Sequence, residues 1–386
     1  MTTFRADWVF TGTGSPQRDG VIEVVDREIV SVKAYQSSMK IDIDCGHSLI
    51  TPGFVNAHTH LDLGALRGKL PVSNNFTEWL EQVIAYRRVN DLAEWDTAIQ
   101  RGIDEALRTG TTMLGDISVG GRSVNALASN LPESAVYLEL IGLGDNRLES
   151  ALVQASDWLL RKQSEPRRYL SPHAPYTVSR HLLQQLASAH PRTHVAMHVA
   201  ETEAELELLA THQGPFKTFL ESVGAWHPQN LFRSIDELLE QLQAFERCFL
   251  IHGNYLSRKQ WQRLPRSSLV VYCPRTHAYF GHGQHPYLQM LADGVTVLLG
   301  TDSLASNPDL SILNECRFLW NRDRHLLNGE TVLGLGTGEA ELSSGSPATF
   351  VVIPYETDVL DPWDALWSGT ASPSAVCTYG NLNHFT

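Results

Sequence analysis

The chain has 386 residues, 42% of them hydrophobic and 19% charged, with a formal net charge of −13. That balance provides for a large core and excludes a disordered chain. The acidic surplus excludes nucleic acid and anionic membrane as principal partners, since both demand a basic face, and leaves a small molecule as the expected partner.

The five cysteines (Cys45, Cys248, Cys273, Cys316 and Cys377) are scattered and none forms Cys-x-x-Cys, which points to a reducing cytoplasm. The first residues, Met1 to Asp7, lack the charged-then-apolar pattern of a secretory signal, and no apolar run is long enough to span a membrane. Without such a signal, the Asn75-Phe76-Thr77 sequon reads as chance.

Residues 1–50 carry short β-rich runs, Trp8–Phe10, Val21–Val25 and Glu28–Val32, separated by Gly and Asp turns. From Leu49 onward, apolar runs of five to seven residues alternate with amphipathic stretches, the pattern of βα units around a parallel sheet. The expected strands are 49–57, 111–117, 134–141, 168–173, 193–199, 247–252, 268–273 and 295–301. Expected helices include Leu92–Leu107, Ser150–Lys162, Ser179–Ala189, Glu201–His212 and Leu310–Leu326. Eight alternations predict an α/β fold of the (β/α)₈ barrel type over residues 51–344, with an open doubly wound sheet as the alternative. No G-x-G-x-x-G or Walker loop follows a strand, which weighs against a nucleotide-cofactor sheet. Residues 200–247 form a long connection expected to help build the substrate pocket. Ala348–Ile353 and Ser374–Tyr379 again read as strands. They are expected to join residues 1–50, so that 1–50 and 345–386 form one small β-sandwich domain.

Barrel enzymes hold their working groups at the C-terminal ends of strands. The polar residues ending the expected strands are His58 and His60 (strand one), His173 (four), His198 (five), His252 (six) and Asp302 (eight). Residues two apart on a strand face the same side, so His58 and His60 aim at one point. Neutral imidazoles with a carboxylate suit a zinc-type cation, and His58, His60, His198 and Asp302 would hold one while leaving room for water. Such a cation draws the pKa of its water toward about 7. Glu201, three residues past His198, can carry a proton from that water to a substrate nitrogen. His252 is expected to orient the nucleophile or polarise the electrophile, and Asp302 to help stabilise the adduct. Glu203, Glu205 and Glu207 read as a solvated helix face.

With these residues in place, the chain resembles the amidohydrolase superfamily, in its cytosine deaminase, S-adenosylhomocysteine deaminase and triazine hydrolase branch. The matching motifs are Pro52-Gly-Phe-Val-Asn-Ala-His-Thr-His60, His173-Ala-Pro-Tyr-Thr177, His198-Val-Ala-Glu201, His252-Gly253, Cys273-Pro274 and Gly300-Thr-Asp-Ser303. They run in the family's order and span most of the chain. The resemblance implies a barrel with a β-sandwich from both termini, and one Zn²⁺ (Fe²⁺ in some members) on His58, His60, His198 and Asp302. It also implies Glu201 as proton shuttle, His252 as activating histidine and His173 as a substrate-binding residue. The dinuclear branches bridge two metals with a lysine ending strand four. Here that strand ends in His173, and Lys162 is placed in a helix. The deaminases of the other zinc fold need H-x-E and P-C-x-x-C, which Cys273-Pro-Arg-Thr-His277 does not supply. One departure is the short, Gly-rich join Asn328–Gly345, where the family has a longer helical segment.

For the pocket, the loop Leu61–Thr77 and Trp79 are expected to close over strand one. Arg275 offers a fork for a substrate carboxylate, with His277 beside it; His282 and His285 read as polar loop residues. The leading expectation is hydrolytic deamination of an adenine-type nucleoside, such as 6-aminodeoxyfutalosine or S-adenosylhomocysteine. The alternatives are a triazine or chlorinated-heterocycle hydrolase and, in another class, a non-catalytic metal-binding relative. Self-association is expected by analogy with the family alone.

Overall fold

The computed structural model describes residues 1–71, 75–89, 92–161, 166–265, 267–356 and 359–385. Lys162 and positions 72–74 of the pocket loop therefore lie outside the described residues. The chain divides into two compact units, one of residues 1–56, 103–113 and 309–386 and the other of residues 57–102 and 114–308. No helix among the described residues is long and apolar enough to cross a membrane.

The strands β1 (Thr2–Val9), β2 (Gln17–Val25), β3 (Glu28–Ala34), β4 (Ile43–Asp44) and β5 (Ser48–Pro52) belong to a mixed sheet. The barrel strands follow: β6 (Phe54–Thr59), β7 (Thr111–Ser118), β8 (Ala135–Leu140), β9 (Arg167–Pro172), β10 (His194–Val199), β11 (Arg247–His252), β12 (Leu269–Tyr272) and β13 (Val297–Leu299). Then β14 (Phe350–Pro354), β15 (Ala375–Thr378) and β16 (Asn381–His384) return to the first sheet, whose order is β16-β15-β14-β5-β1-β2-β3, with β4 on β1. Both chain ends thus build one sheet. Phe4, Ile22, Ile29, Ile50, Phe350 and Cys377 share its buried core.

The continuous strand expected over 49–57 is two strands in two sheets. Ser48–Pro52 pairs antiparallel with β14, whereas Phe54–Thr59 starts the barrel. Gly53 stands at the break, where only glycine fits, since a Cβ there would lie 2.1 Å from Thr112 Oγ1. The Gly-rich join also contains a helix, Gly329–Thr337, capped by Asn328, whose side chain accepts from Thr331 N at 2.7 Å. Another helix, Phe76–Val89, occupies the stretch that follows the pocket loop.

The barrel sheet runs β6 to β13 in chain order, and its measured pairs are parallel. Thr301 N and Asp302 N donate to His58 O, each at 3.1 Å, bringing the eighth strand's end against the first. Ala57, Ile117, Tyr137, Ala196, Ile251 and Val271 fill the interior, as a packed barrel requires. Gly115 marks a close approach, since a Cβ there would stand 2.6 Å from Ala57 O, a backbone atom that cannot swing aside. Gly115→Ala is expected to lower stability in urea unfolding by about 1–3 kcal/mol; an unchanged midpoint would contradict this packing.

Candidate functional site

The C-terminal ends of the barrel strands gather the expected imidazoles. Ligand atoms of His58, His60 and His198 lie within 4.8 Å of one another, as do those of His58, His252 and Asp302. Asp302 Oδ1 is 3.5 Å from His58 Nε2 and 3.8 Å from His60 Nε2, while its Oδ2 accepts from the Ser306 hydroxyl at 3.3 Å. Burial and the neighbouring rings hold His60 well below its ordinary pKa, and push His198 down to about 3. These rings are neutral, the form that ligates.

The arrangement fits a cation on its own geometry. His198 Nδ1 faces the His173 carbonyl at 2.8 Å, so it carries the proton and Nε2 keeps a lone pair. That lone pair faces His60 Nε2 at 3.3 Å. Two buried nitrogens so placed, with a carboxylate oxygen beside them, suit a shared divalent cation better than a direct hydrogen bond.

The backbone is strained where the site is built. Ala200 (φ +51°), His252 (φ +68°) and Asp302 (φ +56°) are all left-handed non-glycine residues at the ends of β10, β11 and β13, a conformation that costs on the order of 1–3 kcal/mol each. Neighbouring groups hold each of them. His285 Nδ1 accepts from Tyr287 N at 3.0 Å, which leaves its Nε2–H to donate to the His252 carbonyl at 2.9 Å. Thr59 Oγ1 donates to the Asp302 carbonyl at 2.9 Å.

The Ala200 turn is fixed by Glu205, and this corrects the reading of that residue as part of a solvated face. Glu205 is fully buried and accepts from Ala200 N at 2.7 Å and Glu201 N at 3.0 Å. Thr202 caps the helix Glu203–Thr211, turning this carboxylate back onto the loop before it. Burial pushes the Glu205 carboxyl up to about 7, against the pull of the two amides. A raised folded value contributes stability that is complete below the ordinary value of 4.5 and lost as pH rises through about 7. Unfolding free energies from pH 4 to 8 are therefore expected to fall for the native chain relative to Glu205→Gln; parallel profiles would contradict the assignment.

Glu201 is 4% exposed, and its Oε1 lies 3.2 Å from His252 Nε2. Burial, then the nearby Asp302 and Glu205 charges, raise its carboxyl well above the usual range. Such a group exchanges its proton closer to neutrality than an ordinary carboxyl does, as a proton carrier must. His60, His198, Glu201, His252 and Asp302 line one cavity with His173, whose own pKa burial pushes down to about 3. Phe76, Trp79, Val83, Tyr176 and Phe219 give the cavity an apolar wall. Among the described residues Trp79 Nε1 is buried with no hydrogen-bond partner, a donor available to a ligand.

Arg275 and His277 are not among the described residues lining this cavity. They lie in the short helix Pro274–Tyr279, where His277 packs edge-on against Tyr272 at 5.5 Å and tilted against His282 at 5.3 Å. The guanidinium at the cavity is Arg87, which sequence reasoning missed together with Asp62, Asp116 and Glu139. Asp116 Oδ1 accepts from Leu61 N at 2.9 Å, and burial pushes its carboxyl up to about 8. A larger cleft lies in the other unit, lined by Arg324, Tyr355, Glu356 and Asp364, but it gathers no comparable set of imidazoles.

Residues 49–339 match the amidohydrolase family. The chain belongs to the amidohydrolase family. It is thus a hydrolase of a metal-dependent family. This amidohydrolase is 30% identical over 339 residues to the aminodeoxyfutalosine deaminase of Deinococcus radiodurans, an alignment covering 81% of this chain and 78% of that one. It is 29% identical to the 5-methylthioadenosine/S-adenosylhomocysteine deaminase of Pyrococcus furiosus, covering 88% of this chain and 80% of that one. Its fold matches that of Helicobacter pylori aminofutalosine deaminase, with a TM-score of 0.83 at 21% identity over 99% of both chains.

Proposed function

We propose that this amidohydrolase deaminates the adenine ring of a nucleoside by hydrolysis, replacing the exocyclic amine with oxygen and releasing ammonia. The observation that carries the proposal is the Glu201 carboxyl at 3.2 Å from His252 beside the converging imidazoles, in a cavity walled by Phe76, Trp79 and Tyr176. Such a cavity accepts a flat heterocycle, and the aminodeoxyfutalosine and methylthioadenosine/S-adenosylhomocysteine deaminases named above act on adenine nucleosides. In this reading residues 51–344 are the catalytic barrel, and 1–50 with 345–386 are an accessory β domain.

His58, His60, His198 and Asp302 would hold a single divalent cation, and a set of imidazoles with one carboxylate favours Zn²⁺, with Fe²⁺ second. When bound, it supplies Lewis acidity that lets a water attack at neutral pH. Glu201 takes a proton from the attacking water and passes it to the substrate's nitrogen. The ring carbon gains a bond to oxygen, and its bond to nitrogen breaks as ammonia leaves. His252, held by His285, would stabilise the charge on the tetrahedral adduct, and Asp302 would steady that adduct by accepting a hydrogen bond from its hydroxyl. His173 and Trp79 position the heterocycle.

The test is a panel of adenine nucleosides and chlorinated triazines with the zinc-loaded protein, followed by ammonia, chloride and amine release. Ammonia equal to the adenine consumed is the expected result. Chloride or amine release without ammonia, or no turnover with any compound, would contradict the proposal.

A further inference from the structure

One corner of the catalytic cavity carries charges that the proposed chemistry does not use. Arg87, on the helix Phe76–Val89, donates through Nη1 to Glu139 Oε2 at 3.2 Å and through Nη2 to Asp62 Oδ2 at 3.4 Å. All three are largely buried: the side chains of Arg87, Glu139 and Asp62 are 22%, 5% and 3% exposed. One guanidinium thus serves two buried carboxylates, leaving the corner with an excess negative charge that calls for a donor. Arg87 and Glu139 both line the cavity.

Glu139 lies within β8, where the alternation of a barrel strand gives its side chain to the interior. Its Oε2 is held by Arg87, while its Oε1 is 3.9 Å from His173 Nε2, too far for a direct hydrogen bond. A gap of that length between two polar atoms admits a bridging group. From the corner the side chains lead back to the reacting end: His173 lies 4.9 Å, ring to ring, from His198, and His198 faces His60. A base with its reacting carbon at the imidazole cluster would therefore extend its sugar past His173 toward Glu139.

We infer that Glu139 is a specificity-determining residue that accepts hydrogen bonds from the vicinal hydroxyls of the substrate's sugar, and that Arg87 is the positioning residue that aims it. The inference rests on the nucleoside reading above and deepens it. Hydroxyls are donors and neutral, so they suit a carboxylate whose one cation is shared. A substrate carboxylate would meet Asp62 and Glu139 with the same sign of charge, so this corner selects against an acid at the sugar's diol edge.

The first test needs no variant. The zinc-loaded native protein is given 5′-deoxyadenosine and its 2′,3′-dideoxy counterpart, and the binding of the matching inosine products is followed by calorimetry. Loss of the diol is expected to lower kcat/KM on the order of tenfold to a hundredfold, mostly through KM, and to weaken product binding similarly. In Glu139→Ala the ratio between the two substrates is expected to collapse toward one. Arg87→Ala should raise KM for the diol substrate more than it lowers kcat, with Arg87→Lys restoring part of the loss. Equal kcat/KM and equal product binding for the two compounds would overturn the role of Glu139 while leaving the deaminase reading in place. So would a Glu139 variant that keeps the native ratio. No ammonia from any nucleoside would overturn both.

Discussion

His198→Ala is expected to strip the divalent cation from the protein and to abolish turnover. The imidazole contributes the nitrogen that faces His60 at 3.3 Å, and its Nδ1 is anchored to the His173 carbonyl at 2.8 Å. Alanine removes both the donor and its anchor. Changes to groups that merely support a metal ligand already cost about tenfold to a hundredfold. Loss of the ligand itself is expected to exceed roughly a hundredfold in activity. Asp302→Ala should behave alike, because it deletes the carboxylate placed 3.5 Å and 3.8 Å from the His58 and His60 rings. Elemental analysis of both variants checks this, with circular dichroism to confirm folding. A folded His198→Ala protein with native metal content and native rate would remove His198 from the ligand set.

Glu201→Gln separates proton transfer from metal binding. Glutamine keeps the shape and can still approach His252, but it cannot take up and release a proton. The variant should retain metal and bind substrate, while kcat falls roughly 10²- to 10⁴-fold, the usual contribution of a general acid–base group. Native turnover in this variant would show that another group carries the proton. Loss of metal instead would show that Glu201 acts structurally, with the Glu205 clamp on its amide being part of the cation site.

The site's centre was legible because each of its residues follows an apolar run. Val195–Val199 and Phe249–Ile251 are almost wholly apolar, so His198 and His252 stand out against them. The barrel fold places such strand-end residues together without further information. The groups around the centre were harder to read, for reasons that differ by residue. Glu205 sits among Glu203 and Glu207 in a text that reads as solvated helix, and only the Thr202 cap and the left-handed Ala200 turn it inward. Arg87 continues the cavity-lining face of Trp79, Leu80, Val83 and Ile84, but Arg87-Arg88 at a helix end reads as a solvated pair, and the carboxylates that bury Arg87 are distant in sequence. Glu139 and Asp116 did leave a signal, as charged residues inside the strand texts Ala135–Leu140 and Thr111–Ser118. A charge within an otherwise apolar barrel strand must find a partner or face the cavity. The fusion of β5 and β6 into one expected strand had a signal too, because Pro52-Gly53 interrupts the apolar run. His277, by contrast, lies in an aromatic and imidazole cluster built by the loop after β12, a contact that spacing alone could not separate from a ligand's.

The central claim is that side chains from β6, β10 and the end of β13 converge on one divalent cation. Anomalous X-ray scattering from crystals of the zinc-loaded protein measures this most directly. The expected result is a single strong peak enclosed by His58, His60, His198 and Asp302, within bonding distance of their nitrogens and carboxylate, with Glu201 facing it across the cavity. A peak elsewhere in the protein, or none at full zinc loading, would contradict the account.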